Sequence, residues 1–277
     1  MAVTALPPVA DLGIYLLLGA GAGWLAGLLG IGGGLVIVAA MAWLLPSRGV
    51  PDGAVMQVAL ATALATIVFT SLSSTRAHWR RGSVRWALAA WLVPGLVLGA
   101  SFGAVLATLL PSAVLAVGVS VYCVLSAAQL AYGRTRATVE RADQVGRVLL
   151  ALAGAVIGGV SAIVGIGGGS MTVPLLVWRG VAPVHAVGTS AACGFAIALA
   201  SAAGYAVAPR AAEWTLPAGT IGFIFWPAAV AMALASVLTA PLGAAMAHRL
   251  SPMRLRRVFA GFLVLIAVLM AVVALRD

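Results

Sequence analysis

Apolar residues fill this chain in long blocks separated by short polar punctuation. The blocks cover residues 12–45, 54–72, 86–110, 113–132, 148–178, 184–207 and 218–247, with a last one ending near Leu275. About 20 apolar residues cross a bilayer as a helix, so most blocks read as single spans. Two blocks do not fit. At ~1.5 Å per residue, 12–45 and 148–178 are too long for one crossing and too short for two comfortable ones. The pattern predicts an all-α polytopic membrane protein with about eight membrane segments. The first segment of each half is broken or re-entrant.

The punctuation divides the chain in two. Residues 1–132 form a first membrane repeat, 133–147 a polar linker, and 148–277 a second repeat. Arginines gather at 76–85, 134–147 and 249–257, whereas the turn at Pro111 and the loop 209–217 carry no net charge. By the positive-inside rule the three basic loops face the cytoplasm. Loops 76–85 and 209–217 occupy equivalent places in the two halves yet fall on opposite sides. The expected arrangement is therefore two inverted repeats, with both termini outside the cytoplasm.

Composition narrows the class. Hydrophobic residues make up 63% and charged residues 8%, too little charge to cover a soluble surface. The net charge of +10 invites a nucleic-acid reading, but its arginines sit at span ends, so no nucleic-acid partner is expected. Every basic residue is arginine, and nothing in the sequence explains that choice. Cys123 and Cys193 lie inside apolar spans, giving neither a disulfide framework nor a metal set. Residues 1–11 lack a basic n-region and a clear cleavage site, so the first span is expected to stay in the mature protein.

The candidate chemistry lies in the two over-long blocks. Gly30-Ile31-Gly32-Gly33-Gly34 recurs 135 positions later as Gly165-Ile166-Gly167-Gly168-Gly169, followed by Ser170. Glycine costs about 0.8–1 kcal/mol relative to alanine within a helix, so three in a row interrupt it. Backbone freed at membrane depth survives only where protein buries it or water reaches it. Paired breaks in matching halves point to a transporter's substrate site. Close helix packing through small residues is the plainer explanation of one such run and a weaker one of two. Gly19, Gly23, Gly27 and Gly95, Gly99, Gly103, spaced four apart, suit such packing.

The second half reads Gly158-Gly159 through Gly165-Ile166-Gly167-Gly168-Gly169-Ser170-Met171-Thr172-Val173-Pro174, then Gly188-Thr189-Ser190. This combination resembles the sulfite exporter TauE/SafE family of membrane permeases, and span number and duplication extend the likeness over nearly the whole chain. The first copy departs from it, with Ala39 in the place of Pro174 and Ala61-Thr62-Ala63 in that of Gly188-Thr189-Ser190. The resemblance implies export of sulfite, sulfoacetate or related organic acids.

A half-helix starting at either break would present free N–H groups and about half a positive charge, an anion site needing no basic side chain. The expected binding set is Gly30, Gly32, Gly33, Gly34, Gly165, Gly167, Gly168 and Gly169, with hydroxyls from Ser170, Thr62, Thr189 and Ser190 and the amide of Gln57; Thr172 could add a further hydroxyl. Each of these polar groups could instead bond within the helix bundle. All six acidic residues lie in loops or at ends. That leaves His185 as the one titratable candidate for coupling near the motif. The expected partners are a small anionic substrate and the lipid bilayer, with no cofactor and no metal. The expected mechanism is alternating access. A passive anion channel and a proton-coupled organic acid carrier are the alternatives. A hydrolase built on Ser170 or Ser190 with His185 lacks both a nucleophile elbow and an orienting acid.

Overall fold

The structure, a computed structural model, describes residues 9–29, 33–132, 147–209, 214, 216–247 and 252–276. Among them are ten α-helices: α1 (Val9–Leu29), α2 (Gly34–Leu44), α3 (Asp52–Arg80), α4 (Trp86–Leu109), α5 (Ser112–Tyr132), α6 (Arg147–Val164), α7 (Gly169–Trp178), α8 (Pro183–Val207), α9 (Trp226–Ala247) and α10 (Pro252–Ala274). Six are unbroken, and the other four are the two halves of each over-long block. Among the described residues, seven helices are long and apolar enough to cross a membrane. The chain is an all-α, multi-pass membrane protein.

Two expectations about helix bounds are corrected. The basic stretch after residue 72 is not wholly a loop, because α3 continues to Arg80. Arg80 in its last turn complements the partial negative charge of the helix C-terminus. The expected span 218–247 opens instead with a two-stranded hairpin, β1 (Thr220–Ile221) and β2 (Ile224–Phe225), and turns helical only at Trp226. Its turn lies against the end of α8, where the Phe223 N–H donates to the Tyr205 carbonyl at 3.1 Å.

α3 is the central helix. Every residue from Ala54 to Ile67 is buried, on all faces, so it has no lipid-facing stripe along that stretch. It packs on α8, the other well-buried span. Around this pair the halves exchange partners: α1 lies along α9, and α6 lies along α4. Glycines make both contacts close. Added Cβ atoms at Gly19 and Gly23 would overlap the backbone of Met232 and Ser236 on α9. At Gly95, Gly99 and Gly103 they would overlap the backbone of Ala151, Ala155 and Gly159 on α6. In hydrocarbon such backbone approach supplies the packing that apolar side chains cannot, since lipid is equally apolar. Across the first contact Ser236 and Thr239 donate to the carbonyls of Gly19 and Ala20, at 2.7 and 2.8 Å.

The first broken segment turns back on itself. Its two ends meet in an ion pair, Arg48 Nη1 to Asp11 Oδ1, at 2.6 Å, with Asp11 only 7% exposed. The second behaves alike: Leu150 near the start of α6 and Leu176 near the end of α7 share one apolar cluster with Ala89 and Ala186.

Candidate functional site at the glycine breaks

Both short helices start in the same way. Gly33 precedes α2 with φ +67°, and Gly168 precedes α7 with φ +71°. Only glycine takes this left-handed conformation without a steric cost. Each glycine carbonyl then accepts the first two bonds of its helix. Val36 and Ile37 donate to Gly33 at 3.1 and 3.3 Å, and Met171 and Thr172 donate to Gly168 at 3.1 and 2.8 Å. The 135-residue repeat is thus a repeat of backbone geometry. Gly30 and Gly32 lie outside the described residues. The breaks also meet: the carbonyl of Gly165 lies against Gly34, and Ile67 of α3 packs beside Gly34 and Gly167.

The side chains around the two breaks differ. The space at Gly33, about 10 Å³, is lined by Leu25, Ala26, Leu35, Val36, Phe259 and Phe262, without a polar side chain. At Gly168 two hydroxyls converge. The position a Cβ would take on Gly168 lies 3.4 Å from Ser161 Oγ and 3.6 Å from Thr172 Oγ1. Ser161 and Thr172 are both 0% exposed, and neither hydroxyl has a hydrogen-bond partner. The Ser170 hydroxyl next to them pairs with the phenol of Tyr122 on α5.

Of the other expected site residues, only Ser190 keeps an unpartnered hydroxyl. Thr189 accepts the N–H of Arg85 at 2.9 Å, one residue before α4 begins. Thr62 accepts the N–H of Phe225 at 3.1 Å, one residue before α9 begins. The two threonines are structural counterparts, each holding the start of a long helix from the other half. Gln57 is likewise engaged. Its Nε2 donates to the Leu110 carbonyl at 2.8 Å, and its Oε1 accepts from Ser112 at 3.2 Å, fastening the turn between α4 and α5. His185 Nδ1 lies 3.2 Å from the Ser83 carbonyl, to which it donates. Thr62, Thr189, Gln57 and His185 therefore bond to helix ends and loops rather than gathering at the breaks.

Ser161 and Tyr122 were not anticipated. Ser161 carried a signal, a hydroxyl one turn before Gly165 in an otherwise apolar helix. Tyr122 stands 48 positions from Ser170 and carried none. Among the described residues no group of three His, Cys, Asp or Glu could hold a metal ion. A larger groove of about 1040 Å³ opens between α4 and α8. Apart from Trp86 and Ser101 its walls are apolar side chains and glycine, and it does not reach the glycine breaks. Its lining suits lipid rather than a polar solute.

Comparison with known proteins supports the same reading. A probable membrane transporter protein of Haemophilus influenzae is 34% identical over 264 residues, covering 92% of this chain and 96% of that protein. A probable membrane transporter protein of Methanocaldococcus jannaschii is 25% identical over 236 residues, covering 84% of this chain and 85% of its own length. The probable membrane transporter protein YunE of Bacillus subtilis is 29% identical over 181 residues, covering 59% and 66%. No solved structure matches. The profile of the sulfite exporter TauE/SafE family matches residues 15–270, and with ten helices among the described residues, built around two glycine breaks, this chain is a membrane transporter belonging to that family.

Proposed function

We propose that this transporter exports small sulfur-containing or organic anions, such as sulfite or sulfoacetate, by alternating access between two inverted repeats. The observation that carries the reading is the start of α7. The N–H groups of Gly169 and Ser170 make no hydrogen bond to the described protein, and two unpartnered hydroxyls stand beside them. A helix N-terminus with hydroxyl donors and no basic side chain holds an oxyanion without trapping it. The inverted arrangement is supported by the exchange of α1 and α6 between halves and by the placement of the arginines.

Among the described residues no carboxylate lies beside the breaks, and His185 is engaged with the Ser83 carbonyl. The proposed driving force is the membrane potential, which favours outward movement of an anion by about 2.3 kcal/mol per charge per 100 mV. The test is efflux of radiolabelled sulfite from proteoliposomes under imposed potassium diffusion potentials. Efflux is expected to saturate with sulfite, to speed up with the interior negative at fixed pH, and to respond little to a pH gradient at zero potential. Accumulation driven by a pH gradient alone, lost in His185→Ala, would establish proton coupling instead. Non-saturating flux would establish a channel.

A further inference from the structure

The two halves share a backbone plan but not a set of hydroxyls. Ser161, Ser170 and Thr172 surround the second break; 135 positions earlier stand Ala26, Leu35 and Ile37. On α3 the buried hydroxyls level with the breaks are committed, and the one buried hydroxyl without a partner, Thr75, lies in the last two turns, away from the breaks. Thr62 holds the start of α9, Thr66 donates to the carbonyls of Thr62 and Ala229, and Thr70 and Ser71 donate to Ile67. α8 is different. Ser190, Gly194, Ile197 and Ser201 recur at helical spacing and fall on one face. Gly194 abuts the Gly167 carbonyl, and the Ile197 side chain occupies the space in front of Gly168. That face therefore looks onto the second break. The hydroxyls of Ser190 and Ser201 on it are buried and unpartnered, as are those of Ser161 and Thr172.

Four orphaned hydroxyls on one path are costly unless something visits them. An unmade hydrogen bond on a buried group costs about 1–3 kcal/mol, and most buried side-chain polar atoms in folded proteins do have partners. Water or a passing solute would satisfy all four. Ser190 and Ser201 are eleven residues apart, which at ~1.5 Å per residue spans about half of the hydrocarbon thickness.

We propose that the transported oxyanion follows a single route confined to the second repeat, along the α8 face from Ser190 to Ser201 past Ser161 and Thr172 at Gly168, with Ile197 closing the route in this conformation. The first repeat frames the route and binds no solute. This inference rests on the transporter reading above and adds to it that only one of the two breaks is a site.

The test compares the halves by thiol capture in full-length protein reconstituted into proteoliposomes. The native thiols Cys123 and Cys193, both buried, are first replaced by alanine. Single cysteines are then introduced as Ser190→Cys, Ser201→Cys and, at the first-half counterpart of Ser190, Ala63→Cys. The probes are a sulfonate-bearing methanethiosulfonate and its trimethylammonium analogue. The sulfonate reagent is expected to label Ser190→Cys and Ser201→Cys about tenfold or more faster than Ala63→Cys, since capture needs a reachable thiolate. It should outpace the cationic reagent, and millimolar sulfite should slow it. Equal labelling of Ala63→Cys and Ser190→Cys would overturn the single route, and equal labelling by both reagents would overturn an oxyanion as its solute. Ser161→Ala and Thr172→Val supply a second measurement in the native background. Sulfite efflux should fall while the unfolding midpoint holds or rises, because a hydroxyl without a partner contributes nothing to the fold. Efflux at the wild-type rate in both variants would also refute the proposal. If wild-type protein moves no sulfite, the substrate proposed above fails, and the labelling comparison still decides the route.

Discussion

Three buried threonines on these helices should respond to one substitution in opposite ways. Thr→Val keeps shape and β-branching, so helix propensity and packing change little and the hydroxyl alone is tested. Thr62 is 0% exposed, and the N–H it serves belongs to Phe225, itself 4% exposed. No water can take the place of the lost acceptor there, so Thr62→Val should cost near the upper end of the ~1–3 kcal/mol expected for an orphaned buried group. Thr189 serves Arg85, whose side chain is exposed at the loop. Solvent reaches that helix end more readily, which places Thr189→Val near the lower end of the same range, about 1 kcal/mol. Thr172 has no partner to lose. Replacing its hydroxyl by methyl removes a desolvated polar group, so Thr172→Val should leave stability unchanged or raise it by about 1 kcal/mol. Thr62 and Thr189 share no partner, so the double variant should show near-additive losses. The assay is equilibrium unfolding in mixed micelles of sodium dodecyl sulfate and dodecylmaltoside, followed by tryptophan fluorescence. The order of midpoints should be Thr172→Val at or above wild type, then Thr189→Val, then Thr62→Val. A Thr62→Val protein as stable as Thr172→Val would refute the idea that these hydroxyls hold the starts of α4 and α9.

Other outcomes follow from the glycines and the arginines. Gly33→Leu and Gly168→Leu should insert normally yet abolish sulfite efflux, because each forces a side chain into a left-handed position; wild-type flux in both would mean the glycines serve only packing. Gly99→Ala should lower the unfolding free energy by roughly 1–3 kcal/mol, as an added methyl there overlaps the Ala155 carbonyl. Gly118→Ala on α5 meets nothing within 4 Å and should be neutral or stabilising by up to about 1 kcal/mol. Reporter fusions at Asp277 and within 133–147 should place the C-terminus outside the cytoplasm and the linker inside; a cytoplasmic C-terminus would contradict inverted repeats.

The backbone plan was legible in the sequence because it rests on local signals. Glycine runs break helices wherever they fall, and block length against bilayer thickness counts the segments. The glycines at spacing four marked the α1·α9 and α4·α6 contacts, though not which helix would lie opposite. The end of α3 was less legible, since a polar, basic sequence suits an exposed last turn as well as a loop. The side chains of the site were legible only in part, because adjacent residues on a helix point about 100° apart. Thr189 and Ser190 are neighbours, yet one holds the start of α4 and the other has no hydrogen-bond partner. A motif names both and cannot say which is free. Gln57 and Thr62 are likewise spent on helix ends whose position depends on the tertiary fold.

The symmetric features and the asymmetric ones serve different ends. The left-handed glycines, the turned-back segments and the paired threonine contacts recur in both halves, and all concern the frame. A frame of two equivalent halves can adopt two related arrangements of similar energy, the condition for a transporter that opens to either side in turn. Solute chemistry carries no such requirement. A second polar site in the first half would leave further hydroxyls orphaned in hydrocarbon, at a few kcal/mol each. The substitutions that set the halves apart fall where this argument puts them. Ser161, Ser170 and Thr172 have the apolar counterparts Ala26, Leu35 and Ile37, whereas Gly33 and Gly168 keep the same conformation. The two breaks share one backbone geometry, and the proposed route uses the one beside which unpartnered hydroxyls stand.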